Sequence, residues 1–194
     1  MKKMQWLNEP DKWQIIDDSS LSMFVTPNTD FWRKTHYGFT VDDGPFCYCT
    51  LGGEFEVNVK ITGDYRTRFD QMGLMIRKDE RTWIKTGVEY VHEKINLSAV
   101  VTLEHSDWSV VELEEKPESV WFKVIRIADT IEIKYALNNS DFTMMRLAYF
   151  PENTPVMVGL TGASPDGNGF NALFEDFEII HLPDAGRKKW LKNS

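Results

Sequence analysis

Residues 69–108 read FDQMGLMIRKDERTWIKTGVEYVHEKINLSAVVTLEHSDW. Three apolar-rich runs lie in this stretch, separated by polar breaks at Lys78 to Thr82 and at His92 to Lys94. Each run alternates, the period of a strand with two unlike faces. In the middle run Ile84, Thr86, Val88 and Tyr90 fall on one side and suit a core. Trp83, Lys85, Gly87 and Glu89 fall on the other, an aromatic, a cation, a gap and a carboxylate. Such a face is expected to hold a polar ligand.

Working outward, the same period recurs. Phe55, Val57, Val59 and Ile61 alternate with Glu54, Glu56, Asn58 and Lys60. This is the pattern of a half-buried strand. Turn signals recur every 8–14 residues, among them Asp42-Asp43-Gly44-Pro45, Gly52-Gly53, and Ser164-Pro165-Asp166-Gly167. Ser140 to Tyr149 is ambiguous between helix and strand, and no other stretch approaches an amphipathic helix. About a dozen strands therefore predict an all-β sandwich of two antiparallel sheets. Phe55, Val57, Val59, Ile84, Val88, Leu97, Val101, Val158 and Leu160 are expected in its core. Ser106 to Ser109 reads as a turn and Asp30 to Arg33 as a segment outside regular structure.

The chain has 194 residues, 42% hydrophobic and 13% aromatic, which suits one domain with a full core. We assign residues 1–182 to a single domain and 183–194 to a short basic tail carrying Arg187, Lys188, Lys189 and Lys192. The net charge of −8 argues against a nucleic-acid partner, since such proteins carry basic patches. No apolar run approaches the roughly 20 residues of a spanning helix, and no signal peptide opens the chain, so no membrane partner and a cytoplasmic location are expected. Cys47 and Cys49 share a face of one strand, two residues apart. They are expected to be reduced, buried and free of metal. No cofactor motif is present: the four histidines are scattered, and phosphate loops, dinucleotide fingerprints and a nucleophile elbow are missing.

Several blocks carry a resemblance. They are Trp6-Leu7-Asn8-Glu9-Pro10 with Trp13, Asp30-Phe31-Trp32, Asp70-Gln71-Met72-Gly73-Leu74-Met75-Ile76-Arg77, Trp83-Ile84-Lys85-Thr86-Gly87-Val88-Glu89, Leu97-Ser98 with Val100-Val101-Thr102, and Ser106-Asp107-Trp108-Ser109. In this order they resemble the bacterial and fungal domain-of-unknown-function family that includes the fungal regulation of enolase protein. The resemblance implies a concanavalin A-like jelly roll with one concave sheet, a fold shared by lectins, glucanases and carbohydrate-binding modules.

On these grounds the candidate ligand-binding residues are Asp70, Gln71, Met75, Arg77, Trp83, Lys85, Glu89, Ser98 and Arg126, with Asp30, Trp32 and Trp108 at the rim. Trp83 beside polar groups would stack on a sugar ring. Trp108 has capping the core as its alternative. Arg126 shares the phase of Phe122 and Val124, so it reaches the ligand only if a bulge turns it; otherwise it is paired in the core. Lys85 and Glu89, four apart on a strand, lie about 13 Å from each other, and as partly exposed residues they are expected to contribute little to stability. The expected ligand is a carbohydrate or small polar metabolite. A glycosidase needs two carboxyl groups across a sugar; only Glu89 with Asp70 or Asp107 offers a pair. A regulatory module that binds another protein is the remaining alternative, and oligomeric state is left open.

Overall fold

The structure, a computed structural model, describes residues 1, 4–138, 140–151 and 155–183. Among them are sixteen strands and no helix. The first sheet runs, in spatial order, β1 (Gln5–Leu7), β6 (Phe46–Leu51), β15 (Val156–Ala163), β8 (Gln71–Asp79), β9 (Thr82–Val91), β10 (Lys94–Leu103) and β11 (His105–Glu112). The second runs β14 (Thr143–Tyr149), β13 (Thr130–Leu137), β12 (Val120–Ile127), β7 (Phe55–Gly63), β16 (Asn171–His181), β3 (Leu21–Phe24) and β2 (Trp13–Ile15). A two-stranded ribbon, β4 (Phe31–Arg33) with β5 (Thr40–Asp42), stands apart from both. Every strand pair is antiparallel. This is the jelly-roll sandwich of the concanavalin A-like class.

The inner faces follow the alternation. Phe55, Val57, Val59 and Ile61 of β7 meet Ile84, Val88, Leu97, Val101, Val158 and Leu160 of the first sheet, all in one buried cluster. Fully burying each such side chain stabilises by roughly 1.5–3 kcal/mol relative to leaving it exposed.

Two local expectations are corrected. Ser106 to Ser109 is not a turn but part of β11, which pairs with β10 from Leu103↔His105 to Asn96↔Glu112. The reversal sits one residue earlier, at Glu104, whose φ of 64° closes the hairpin. Phe31 to Arg33 is likewise not irregular: it pairs with Thr40 to Asp42, and left-handed Lys34, His36 and Gly38 turn the chain between them. Of the ambiguous stretch Ser140 to Tyr149, Thr143–Tyr149 forms strand β14. The basic cluster at 187–192 lies outside the described residues.

The ribbon creates a second core. Phe31 and Trp32 pack with Phe46, Met75, Trp83 and Val100 on the side of the first sheet that faces away from the sandwich. The middle strands β8, β9 and β10 are therefore buried on both faces over most of their length. Trp83, expected as a stacking platform, is fully buried here and packs edge-on against Phe31 at 6.2 Å.

Cys47 joins the main core opposite Leu160, and Cys49 is half-buried opposite Val158. Burial pushes the Cys47 thiol up to about 12 and raises Cys49 as well. Neither therefore holds a reactive thiolate at neutral pH. Thiol labelling of the native protein should proceed at Cys47 only on unfolding. Cys47→Ser should cost about 1–3 kcal/mol for a buried hydroxyl without a guaranteed partner. Rapid native labelling of Cys47 would contradict this placement.

Candidate functional site

The site begins with a bare floor. On the outward face of the first sheet Gly87 of β9 lies opposite Gly73 of β8, between Lys85 and Glu89. A Cβ at Gly87 would stand 1.9 Å from the Met72 carbonyl oxygen, and one at Gly73 would stand 2.0 Å from that of Thr86. Only glycine permits this approach. A cavity of about 20 Å³ sits over this floor, bounded also by Phe31, Gln71, Ser98 and Thr161. Its size admits an ordered water.

The roof is the segment from Asp30 to Pro45. Two ion pairs fasten it. Lys85 Nζ donates to Asp30 Oδ1 at 3.1 Å, with both side chains largely buried. Arg77 grips Asp42 with two parallel bonds of 2.5 and 2.6 Å. Bidentate pairs of this kind are among the stronger hydrogen bonds. The Arg33 amide donates to Ser106 Oγ at 2.9 Å, which is bonded in turn to Thr102 Oγ1. The Asp30 carboxylate is fixed from its own side by the Phe31 amide at 2.7 Å.

A second, larger cavity of about 160 Å³ shares Gln71 and Lys85 with the small one. Trp32, Tyr37 and Phe39 of the roof line one side. Their rings are locked together, Trp32 to Tyr37 at 5.7 Å and Tyr37 to Phe39 stacked at 5.5 Å. Phe69 and Trp108 line another side, edge to face at 6.3 Å. Gln71, Lys85 and Glu89 supply the polar wall, and the Arg68–Asp166 pair closes the rim. Phe69 holds a left-handed φ of 68°, a conformation that costs a bulky residue energy and turns its ring towards the cavity.

Glu89 is 6% exposed. Its Oε2 accepts from Ser98 Oγ at 2.7 Å and from the Trp108 indole N–H at 2.9 Å. Burial pushes its carboxyl above the ordinary glutamate range, against the opposing pull of Lys85 and of these two donors; Asp30 adds to the rise. Lys85, at 8% exposure, is also buried. The expectation that both are partly exposed and energetically minor is thus corrected. Removing one partner of the buried Lys85–Asp30 pair costs on the order of 3–5 kcal/mol, because it strands the other charge.

The predicted residues divide. Asp30, Trp32, Gln71, Lys85, Glu89 and Trp108 line the cavity, and Ser98 holds Glu89. Trp108 lines this cavity and does not cap the core. Met75 and Trp83 are packed beneath the roof, and Arg77 anchors it. Asp70, Asp107 and Arg126 lie elsewhere. Asp70 is fully buried, and both its oxygens are used: Oδ2 accepts from the Arg66 and Thr67 amides at 2.8 Å each, and Oδ1 from Ser164 Oγ at 2.5 Å. It ties two loops together. Asp107 points from the opposite face of β11 and pairs with Arg146 at 3.5 Å. Arg126 stays on the inner face of the second sheet, donating to the Pro151 carbonyl at 3.1 Å between the rings of Phe55 and Phe150. The carboxylate pairs Glu89–Asp70 and Glu89–Asp107 are therefore not assembled. Tyr37, Phe39, Arg68 and Phe69 were missed; the aromatic cluster from Phe31 to Phe39 was the signal that could have found two of them.

A carboxyl raised in the folded state binds a proton that the unfolded chain has released. Stability from Glu89 is therefore fullest below the ordinary glutamate value, about 4.3, and falls as pH rises towards the raised value. Urea denaturation across this window should show the parent losing stability relative to Glu89→Gln as pH rises, by at most about 1.4 kcal/mol per pH unit. A difference between the two that does not change with pH would contradict the placement.

Comparison with known proteins adds the family. "Regulation of enolase protein 1" of Saccharomyces cerevisiae is 31% identical over 174 residues, spanning 90% of this chain and 87% of that one. A crystal structure of a functionally unknown protein from Saccharomyces cerevisiae superposes with a TM-score of 0.88 at 29% identity, covering 94% of this chain and 98% of the other. A legume lectin-like domain from Entamoeba histolytica shares the fold at a TM-score of 0.60 and 10% identity, covering 94% of this chain and 91% of that domain. The profile of the family described as "Protein of unknown function (DUF1349)" matches residues 6–181. The chain belongs to the DUF1349 family.

Proposed function

We propose that the chain is a lectin-like binding module whose ligand is a carbohydrate or a sugar-derived polar metabolite, seated in the cavity that Trp32, Tyr37 and Phe39 of the roof wall together with Phe69, Trp108, Lys85 and Glu89. The observation that carries this reading is the pairing of ring walls with hydrogen-bonding groups that still have capacity. Asp30 Oδ2 and Glu89 Oε1 have no protein hydrogen bond among the described residues, and Lys85 Nζ uses one of its three donors. Sugars are held in this way, by apolar ring faces packed on aromatics and hydroxyls bonded to charged groups.

The volume, about 160 Å³, is below the roughly 300–1,000 Å³ of drug-sized pockets. This favours a single ring or a terminal residue over a longer oligosaccharide. Of the two alternative readings, glycoside processing loses the two pairs anticipated for it, since Asp70 and Asp107 do not line the cavity with Glu89. Regulation through a protein ligand is suggested by the name of the yeast relative.

The test is calorimetry against a panel of mono- and oligosaccharides, backed by tryptophan fluorescence, since Trp32 and Trp108 line the cavity. Tyr37→Ala and Trp108→Ala should each weaken binding about tenfold, from a ring contact of about 0.5–1.5 kcal/mol beyond area burial. Trp13→Ala, exposed and outside the cavity wall, should bind as the parent does. If no sugar binds, or if Trp13→Ala weakens binding as much as Trp108→Ala, the proposal falls.

A further inference from the structure

The charges around the cavity do not balance locally. Its wall holds three carboxylates, Asp30, Glu89 and Asp166, and two cations, Lys85 and Arg68. Lys85 pairs with Asp30 at 3.1 Å, and Arg68 pairs with Asp166 at 2.8 Å. Glu89 contacts only the neutral Ser98 and Trp108, and its cross-strand neighbours are the neutral Gln71 and Asn96. It is the carboxylate in the wall without a cation of its own among the described residues, and it is buried.

A buried carboxylate without a partner is costly. The rest of the wall also favours positive charge. The faces of aromatic rings carry negative potential, and Trp32, Tyr37, Phe39, Phe69 and Trp108 surround the space. Cations already use rings here: the Arg68 guanidinium lies 4.8 Å from the centre of Phe69, and Lys85 Nζ lies 5.8 Å from that of Trp83. A neutral sugar would leave Glu89 with only two neutral donors and the pull of a lysine already paired to Asp30, and a uronate or phosphorylated sugar would bring a second negative charge to it.

Resting on the carbohydrate reading above, we propose that the ligand is an amino sugar with a free ammonium group, held by Glu89 Oε1 and by the ring faces of the cavity. The remaining ring hydroxyls then bond to Asp30 Oδ2, Lys85 and Gln71. The arrangement discriminates by charge: an acetylated amine or a hydroxyl at the same carbon lacks the cation that Glu89 needs. The ammonium also favours the ionised form of Glu89. In the window between the ordinary and the raised carboxyl value, binding therefore releases a proton from Glu89. The charged groups that set this response are Lys85 on the same strand, Asp30 from the roof, and the Arg68–Asp166 pair at the rim.

The test compares matched probes. Glucosamine, galactosamine and mannosamine are each titrated beside their N-acetylated and 2-hydroxy counterparts, and chitosan oligomers beside chitin and cellulose oligomers. Titrations are repeated in buffers of different ionisation enthalpy to count protons released. At least one free-amine probe should bind tenfold or more tighter than both its counterparts, with proton release just above the ordinary carboxylate range. Glu89→Gln should abolish that preference and the proton release. Equal or tighter binding of the neutral counterparts overturns the amine assignment and leaves the carbohydrate reading standing. Binding of no sugar at all overturns both. A preference that survives in Glu89→Gln overturns the role of Glu89. The proton count in the parent protein decides the matter even if the variant does not fold.

Discussion

The Lys85–Asp30 ion pair is the constraint on which the site depends. Lys85 sits near the centre of a sheet, and Asp30 begins a segment that leaves the sandwich and returns at Pro45. Neither charge has water enough to be stable alone. Each is tolerated because the other lies 3.1 Å away, and a pair so enclosed is costly to break from one side. Arg77 and Asp42 repeat the arrangement on the other strand of the ribbon, where Asp42 lies opposite Phe31. The ribbon is thus held at two points by charge, and Phe31 and Trp32 fill the space between by apolar contact.

This explains why one sheet is buried twice. The inner faces of both sheets make an ordinary sandwich core, with β7 as its clearest example. The outer face of the first sheet would otherwise be wet. Covering it with the ribbon buries Trp83, Met75 and Val100, and leaves a gap where glycines replace side chains. Lys85 and Gln71 border this gap and also the larger cavity, which the three locked rings and Asp30 wall from the other side. Scaffold and cavity wall are therefore the same residues at Asp30 and Lys85, and changes there act on the fold and on the cavity together.

Much of the fold was legible because alternation is a local signal. Phe55 to Ile61 and Ile84 to Val88 each announce an inner face without reference to any partner strand. The strand at Ser106 to Ser109 was hidden because Asp and Ser also build turns, and only its pairing with β10 decides between the two. The site was legible in part. The phase of β9 placed Lys85 and Glu89 together on the outward face, but alternation cannot tell a wet face from one covered by a distant segment. The burial of Trp83 and the use of Lys85 as an anchor depend on residues 30–45, more than 40 positions away in the case of Trp83 and Trp32. Asp70, Asp107 and Arg126 were misplaced for a related reason: their chemistry was visible, but the loops and strand faces that absorb it were not.

The most direct test of the account is native-state hydrogen exchange on the parent and on Lys85→Met. The ion pair is held to fasten the ribbon, and the Arg33 amide, donated to Ser106 Oγ across the ribbon's contact with the sheet, reports that fastening. Loss of the pair should speed exchange at Arg33 and at the amides that join β4 to β5 by at least tenfold, while amides in β7 and β12 keep their protection. Unchanged exchange in the ribbon would show that apolar packing alone holds it, and the Lys85–Asp30 pair would then not be what builds the site.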